Sequence, residues 1–139
     1  MKTNGSAQWV KFVQDGDLFQ WDTPVLDVNA TSSGAAAVTR TLASAPTGVN
    51  VRAMLNVFIT AGVAGDAAYL SDLATSDLAP SSSAAPLDTI FANANQSAAC
   101  PASVRTNTSA QIRSRQAVGG ASETLRVAVL GWNDTRGKE

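Results

Sequence analysis

Hydrophobic and polar residues alternate most clearly over residues 49–60. Aliphatic residues occupy every odd position of this stretch, and polar residues such as Asn50 and Arg52 occupy even positions. Because successive side chains of a β-strand point to opposite sides of the sheet, this period of two predicts a strand with one buried face. Met54 and Phe58 also lie at even positions, so part of the second face is expected to be covered as well.

Shorter alternating runs predict further strands. Residues 123–132 form one such run after the turn-forming Gly119-Gly120, and residues 104–118 indicate a hairpin that bends near Asn107. Additional strands are expected at residues 25–29, 36–42 and 67–70, with a short helix over 66–73 as an alternative. Stretches 75–86 and 93–101 are predicted to be irregular. Seven or eight short strands separated by turns are typical of an all-β antiparallel β-sandwich or jelly roll.

The N-terminal part of the chain has a different character. It holds four of the chain's eight aromatic residues, with the turn-forming Asp15-Gly16-Asp17 in their middle. These four are Trp9, Phe12, Phe19 and Trp21. We therefore expect residues 1–22 to form an extended aromatic arm that docks on a neighbouring molecule, and residues 23–139 to form a single sandwich domain. The alternative is that the aromatic residues close the end of the sandwich core.

Composition removes most catalytic chemistry. The chain has no histidine and one cysteine, and only 15% of its residues are charged. Without histidine, Ser-His-Asp and Cys-His arrangements and histidine-based zinc sites are excluded. A low charge with many small polar residues suits a protein that covers its surface with partners, or an ordinary soluble β-domain. We expect a non-enzymatic protein without a cofactor.

The remaining reactive side chains are carboxylates and one thiol. The carboxylates occur in close pairs at turn-like positions, where aspartate commonly caps the backbone. The pairs are Asp15 with Asp17, Asp22 with Asp27, and Asp72 with Asp77. Asp15, Asp17 and Asp66 could bind calcium, but the chain has no Asp-x-Asp-x-Asp-Gly loop. Cys100 has no charged neighbour in sequence that would lower the pKa of its thiol. We predict no catalytic residue and no metal site.

Two arginines form the clearest cationic feature. Arg113 and Arg115 are two positions apart on a predicted strand, so they project from the same face of the sheet. This face is either a contact with a partner or a solvated polar surface. Arg105 lies on the same predicted hairpin, and we expect Arg126 on a neighbouring strand. The formal net charge of −1 argues against nucleic-acid binding, and no apolar run is long enough to cross a membrane. No signal peptide is predicted, and one cysteine fits assembly in a reducing cytoplasm.

The C-terminal residues 130–139, Leu-Gly-Trp-Asn-Asp-Thr-Arg-Gly-Lys-Glu, follow the last predicted strand. They resemble the Gly-Trp-x-Asp-x-Arg-Gly ending of small structural proteins in tailed-bacteriophage virions. The segment 104–115, rich in threonine and asparagine and then Ile-Arg-Ser-Arg, is similar to a hairpin of such proteins. Together these segments cover about a sixth of the chain.

The resemblance implies a β-sandwich or jelly-roll module on a capsid or a tail. We expect a capsid cement (decoration) protein, because the chain begins with Met1, is of complete size and has no fibre repeats. Such a protein binds the major capsid protein of the same virus on the outer capsid surface, as a homo-dimer or homo-trimer. The aromatic arm is the first expected contact. The second consists of Trp132, Asp134 and Arg136.

Two other classes remain open at this point. A tail-fibre or receptor-binding module would recognise a host surface glycan, with Tyr69 or Trp132 as the ring on which a sugar stacks. A small hydrolase that uses Asp15 or Asp72 has the least support, because sequence spacing does not show two carboxylates across a cleft.

Overall fold

The computed structural model describes residues 10–31, 35–62, 66–86, 88–117 and 123–136. Within these ranges the chain forms nine strands and no helix, and therefore no helix that is long and apolar enough to cross a membrane. The strands are β1 (Phe12–Asp15), β2 (Leu18–Thr31), β3 (Val38–Thr41), β4 (Val51–Thr60), β5 (Asp66–Ser71), β6 (Ile90–Ala92), β7 (Ser97–Arg105), β8 (Gln111–Gln116) and β9 (Thr124–Asp134).

The strands form two antiparallel sheets with a shared core. The five-stranded sheet has the order β1-β2-β9-β4-β7, and the four-stranded sheet has the order β3-β8-β5-β6. One hydrophobic cluster joins residues of both sheets, for example Leu55 and Val127 from the first and Leu70 and Ile112 from the second. The predicted all-β antiparallel sandwich is thus confirmed. Jelly-roll connectivity stays a prediction.

Strand β4 confirms the alternation that the sequence predicts for residues 49–60. All five odd-numbered side chains of the strand are at most 1% exposed: Val51, Ala53, Leu55, Val57 and Ile59. The strand lies between β9 and β7, so both of its edges are paired. On its outer face the guanidinium of Arg126 lies 5.5 Å from the centre of the Phe58 ring, which explains how an aromatic residue is kept on that side.

The predicted hairpin at residues 104–118 is wrong in its pairing. Its two arms, β7 and β8, belong to different sheets, because β7 pairs with β4 whereas β8 pairs with β3 and β5. The bend near Asn107 is present, and the side-chain oxygen of Asn107 accepts hydrogen bonds from the backbone N–H groups of Ser109 and Gln111. The connection therefore crosses from one layer of the sandwich to the other.

One local prediction fails in part. Residues 93–101 were expected to be irregular; residues 93–96 are, but Ser97 begins β7, where Pro101 lies opposite Asn56. Proline is tolerated there because β7 is an edge strand and needs no donor on its free side. The strand predicted at residues 67–70 is confirmed as β5, and the alternative helix over 66–73 does not form, because pairing with β6 and β8 outweighs the helix propensity of alanine. Strand β6 has only three residues and was not predicted.

Phe12, Phe19 and Trp21 of the expected N-terminal arm belong to the sheet. Strands β1 and β2 form a hairpin whose turn contains Gly16 at φ = +56°, a conformation that glycine adopts without steric cost. Strand β2 then continues without interruption to Thr31. The expected arm boundary at residue 22 falls inside this strand.

A bulge in β9 sets the orientation of the C-terminal segment. Val129 lies opposite Leu55 and Gly131 lies opposite Met54, so Leu130 is an extra residue between them. One extra residue reverses which side chains face inward. Trp132 consequently lies opposite the buried Ala53, on the inner face of the sheet.

The bulge also brings the backbone of Gly131 against β2. A Cβ atom on Gly131 would meet the carbonyl oxygen of Phe19 and would lie 2.8 Å from the Cα of Gln20. Both neighbours are backbone atoms, so relief requires the two strands to separate. Glycine is therefore required at this position.

We expect Gly131→Ala to lower the free energy of unfolding by about 3 kcal/mol or more, at the upper end of overpacking effects. Chemical denaturation with a tryptophan fluorescence readout measures the loss. Gly16→Ala is the control, because its Cβ meets nothing within 4 Å. Only its positive φ is then unfavourable, at about 1 kcal/mol. A Gly131→Ala protein as stable as the control would contradict the close approach of the two strands.

Candidate functional site

Four aromatic rings meet at one end of the five-stranded sheet. The rings of Phe19 and Trp132 are stacked, with centroids 5.3 Å apart and planes inclined by 6°. Trp21 meets Trp132 edge-on at 5.2 Å, and Phe12 lies 5.9 Å from Phe19 and 6.4 Å from Trp21. The strand register explains the cluster, since Phe12 pairs with Trp21 and Phe19 pairs with Trp132. Paired residues project from the same face of a sheet.

The rings form one wall of an open groove of about 530 Å³. We call this feature the aromatic groove. Its second wall is the β3–β4 loop, and Val10 closes one side. The lining residues are Val10, Phe12, Phe19, Trp21, Ala43, Ser44, Ala45, Pro46, Thr47 and Trp132. No charged side chain is among them, so the groove suits an apolar or uncharged polar ligand.

Backbone and side-chain hydrogen bonds hold the loop wall in place. The hydroxyl group and the backbone N–H of Ser44 both donate to a carboxylate oxygen of Asp27 on β2, the latter at 2.8 Å. The N–H of Ala45 donates to the carbonyl of Leu42 at 2.9 Å, and Leu42 is itself fully buried. The loop is thus tied to the same strand that carries Phe19 and Trp21.

The four rings divide between core and surface. Trp21 is 5% exposed and belongs to the hydrophobic core, whereas Phe12 is 44% exposed. The indole N–H of Trp21 is buried and has no acceptor among the described residues. An unpaired buried donor is unfavourable by about 1–3 kcal/mol. The groove therefore combines a ring that belongs to the core with an exposed apolar ring.

The structure brings together two of the sequence-predicted contact groups. Phe12, Phe19 and Trp21 of the expected arm and Trp132 of the C-terminal segment line the same groove, although more than a hundred residues separate them in sequence. Trp9 lies outside the described residues. The packing of Trp21 and Trp132 agrees with the alternative that the aromatic residues close the end of the core, and docking on a neighbouring molecule stays a prediction.

Asp134 and Arg136 form a local pair beside this cluster. The carboxylate of Asp134 accepts hydrogen bonds from the backbone N–H of Arg136 at 3.1 Å and from its Nε at 2.9 Å. The side-chain hydrogen bond from Arg136 is the main reason that the pKa of Asp134 lies below its usual value. The N–H of Asp134 also donates to the carbonyl of Asp17 at 2.8 Å, which ties the end of β9 to the turn of the hairpin.

Arg113 and Arg115 lie on the outer face of the four-stranded sheet and bind the loop after β5. Arg113 donates to the carbonyl of Thr75 at 3.0 Å, and Arg115 forms an ion pair with Asp77 at 2.9 Å. These contacts give both arginines a structural role, and a partner contact there stays a prediction. Arg126 lies on β9 in the other sheet, so the expected neighbourhood of Arg126 with this pair is wrong.

The predicted reactive groups have structural partners. Asp72 caps the backbone N–H of Ala74 at 2.9 Å and lies 3.5 Å from Arg105, as expected for a turn aspartate. Asp66 is fully buried and accepts a hydrogen bond from Gln116 at 3.3 Å. Cys100 donates to the carbonyl of Thr89 at 3.2 Å, and burial raises the pKa of its thiol. Among the described residues, no three acidic or cysteine side chains are arranged to hold a metal ion.

The comparisons with known proteins add no relative. The chain matches no family model, no curated protein and no solved structure.

Sequence reasoning missed the loop wall of the groove. Residues 43–47 are small and polar, and the sequence marks them only as a separator between two strands. The link from Ser44 to Asp27 spans seventeen positions and leaves no local pattern. The only available signal was Pro46, which indicates a fixed turn rather than a binding surface.

We expect Ser44→Ala to destabilise the protein by about 1–2 kcal/mol, because Asp27 loses a buried hydroxyl donor and keeps only the backbone N–H. Chemical denaturation measures the loss, and Ser103→Ala on the exposed face of β7 is the control. Equal stability of the two variants would show that the Asp27 contact does not anchor the loop.

Proposed function

We propose that this protein is a structural component of a bacteriophage virion, a capsid cement protein that binds the major capsid protein lattice on the outer surface. In this proposal it acts by binding and catalyses no reaction. Assembly takes place in the host cytoplasm, before the finished particle is released.

The convergence of two distant segments on the aromatic groove is the observation that carries the proposal. The C-terminal residues that resemble a virion-protein ending contribute Trp132, and the N-terminal hairpin contributes Phe12, Phe19 and Trp21. Exposed aromatic rings on a rigid frame are common anchors of protein interfaces, because they bury much area for little loss of conformational entropy. The uncharged lining supports a partner segment that inserts an apolar side chain.

Binding linkage explains how such contacts stabilise a shell. A protein that binds only the mature lattice stabilises each site by about 2.7 kcal/mol when its free concentration is a hundredfold above Kd. Repetition over many lattice positions multiplies this effect. Moderate affinity of each groove for the capsid lattice is then sufficient to stabilise the shell.

The test uses phage particles depleted of the protein and challenged by heat or osmotic shock. We expect added wild-type protein to occupy regular lattice positions by electron microscopy and to restore shell integrity. Phe12→Ala should reduce lattice occupancy at least tenfold, since it removes the exposed ring of the groove.

Phe91→Ala is the matched control, because Phe91 on β6 is also 44% exposed but lies in the other sheet. It should restore the shell as well as the wild type. If depleted shells are as resistant as complete ones, or if no protein binds the lattice, the cement proposal is wrong. If particles instead lose adsorption to cells, the protein belongs to the tail.

A receptor-binding module that recognises a host glycan is the second candidate. The stacked Phe19–Trp132 pair and the nearby Thr47 give the groove an aromatic platform beside a hydroxyl group. Such a combination suits a sugar ring, which has both an apolar face and hydroxyl groups.

For this candidate, we expect calorimetric titration with galactose- and N-acetylglucosamine-containing oligosaccharides to detect binding that Trp132→Leu abolishes. Tyr69→Leu is the control, because Tyr69 lies on β5 outside the groove. Binding that survives Trp132→Leu, or no binding at millimolar sugar, would remove the glycan hypothesis.

A further inference from the structure

Within the part of the chain that the structure describes, strand β1 is an edge strand with one side unpaired. It ends the five-stranded sheet, and its one described neighbour is β2. All four of its residues are exposed, and Val13 is 64% exposed. An uncovered edge presents backbone donors and acceptors that a further strand can pair.

The register of the hairpin identifies the groups that point outward. The N–H of Asp22 donates to the carbonyl of Lys11 at 3.0 Å, so these two residues form a hydrogen-bonded pair. In an antiparallel ladder, hydrogen-bonded and non-hydrogen-bonded pairs alternate. Val13 and Asp15 therefore bond to β2, whereas the backbone groups of Phe12 and Gln14 point to the free edge.

The other sheet edges are less suitable for pairing. Strand β7 has Pro101 in its middle, which lacks a donor and disfavours a continuing ladder. Strand β6 has only three residues. Strand β3 carries Arg40, and neither the strand nor its flanking residues 35–42 include an acidic residue, so no register of two copies pairs opposite charges there.

We propose that β1 pairs with β1 of a second copy of this chain, antiparallel and centred on Val13, to form a symmetric homo-dimer. In this register Phe12 pairs with the second copy's Gln14, and the outward backbone groups of both residues form hydrogen bonds. Lys11 lies opposite the second copy's Asp15, and the reverse pair forms at the other end. Charge complementarity favours a second copy as the partner. In this register Lys11, directly before β1, meets Asp15 at the end of the other copy's β1.

The side chains agree with the same register. Residues 11, 13 and 15 project from one face of the strand, so the two Val13 side chains meet between two Lys11–Asp15 pairs. Opposite charges across a ladder contribute about 0.2–1 kcal/mol per pair, and like charges oppose pairing. The interface is short, so we expect a weak dimer whose population depends on protein concentration.

Pairing would join the two five-stranded sheets into one continuous sheet. The two-fold axis runs perpendicular to that sheet, so both aromatic grooves open on the same side. This arrangement does not depend on the proposed function, since it follows from the β1 edge alone.

The experiment exchanges the two charges in the full-length protein. Analytical ultracentrifugation over a range of concentrations measures the dimer fraction of the wild type, Lys11→Glu, Asp15→Lys and the double variant. Each single variant places like charges opposite each other at both ends, so we expect its dissociation constant to rise at least fivefold. The double variant should restore the wild-type value.

Mixing the two single variants provides a second readout. Lys11→Glu has an acidic β1 and Asp15→Lys has a basic β1, so an equimolar mixture should form a hetero-dimer although neither variant dimerises well alone. Circular dichroism and thermal unfolding verify that each variant is folded. A wild-type protein that stays monomeric at millimolar concentration, or a dimer unaffected by the charge variants, would overturn the proposal. A trimer would overturn it as well.

Discussion

The extra residue in β9 determines how the end of the sandwich that carries the aromatic groove is built. This strand lies between β2 and β4, and Leu130 is unpaired with respect to both. Before the bulge, Val127 and Val129 face the core; after it, Trp132 does. The bulge at Leu130 also brings Gly131 close to the backbone of β2, because β9 and β2 remain paired on both sides of the bulge. The stacking of Trp132 on Phe19, and with it the ring wall of the groove, depends on this one residue.

The sequence predicts the elements whose pattern is local. The alternation of β4 and the buried valines of β9 follow from period-two patterning, and the sandwich class follows from many short strands with turns between them. The bulge could not be predicted, because regular alternation would have placed Trp132 on the outer face. The sequence also could not show that β7 and β8 belong to different sheets. The pattern of each strand is the same whichever neighbour it pairs with.

Exposed position and charge alone do not identify a contact residue in this fold. Arg113 and Arg115 satisfy the sequence criteria for an interface, yet their guanidinium groups hold the loop at Thr75 and Asp77. The aromatic residues differ, because Trp21 is part of the core while Phe12 remains accessible on the same sheet face. A guanidinium group that already binds a loop of its own chain has fewer free donors for a partner than an exposed ring such as Phe12 has free surface.

One hairpin contributes to both proposed interactions, and this arrangement couples them. Phe12 lines the aromatic groove with its side chain, while its backbone groups lie on the free edge of β1. In the proposed dimer, the second copy's Gln14 lies beside Phe12, so groove and dimer contacts share the same strand. Two grooves on one side of a continuous sheet bind a repeating surface together, and the second contact then forms at high effective concentration. A ligand that requires both grooves would therefore favour the dimer by mass action, even where the strand contact alone is weak.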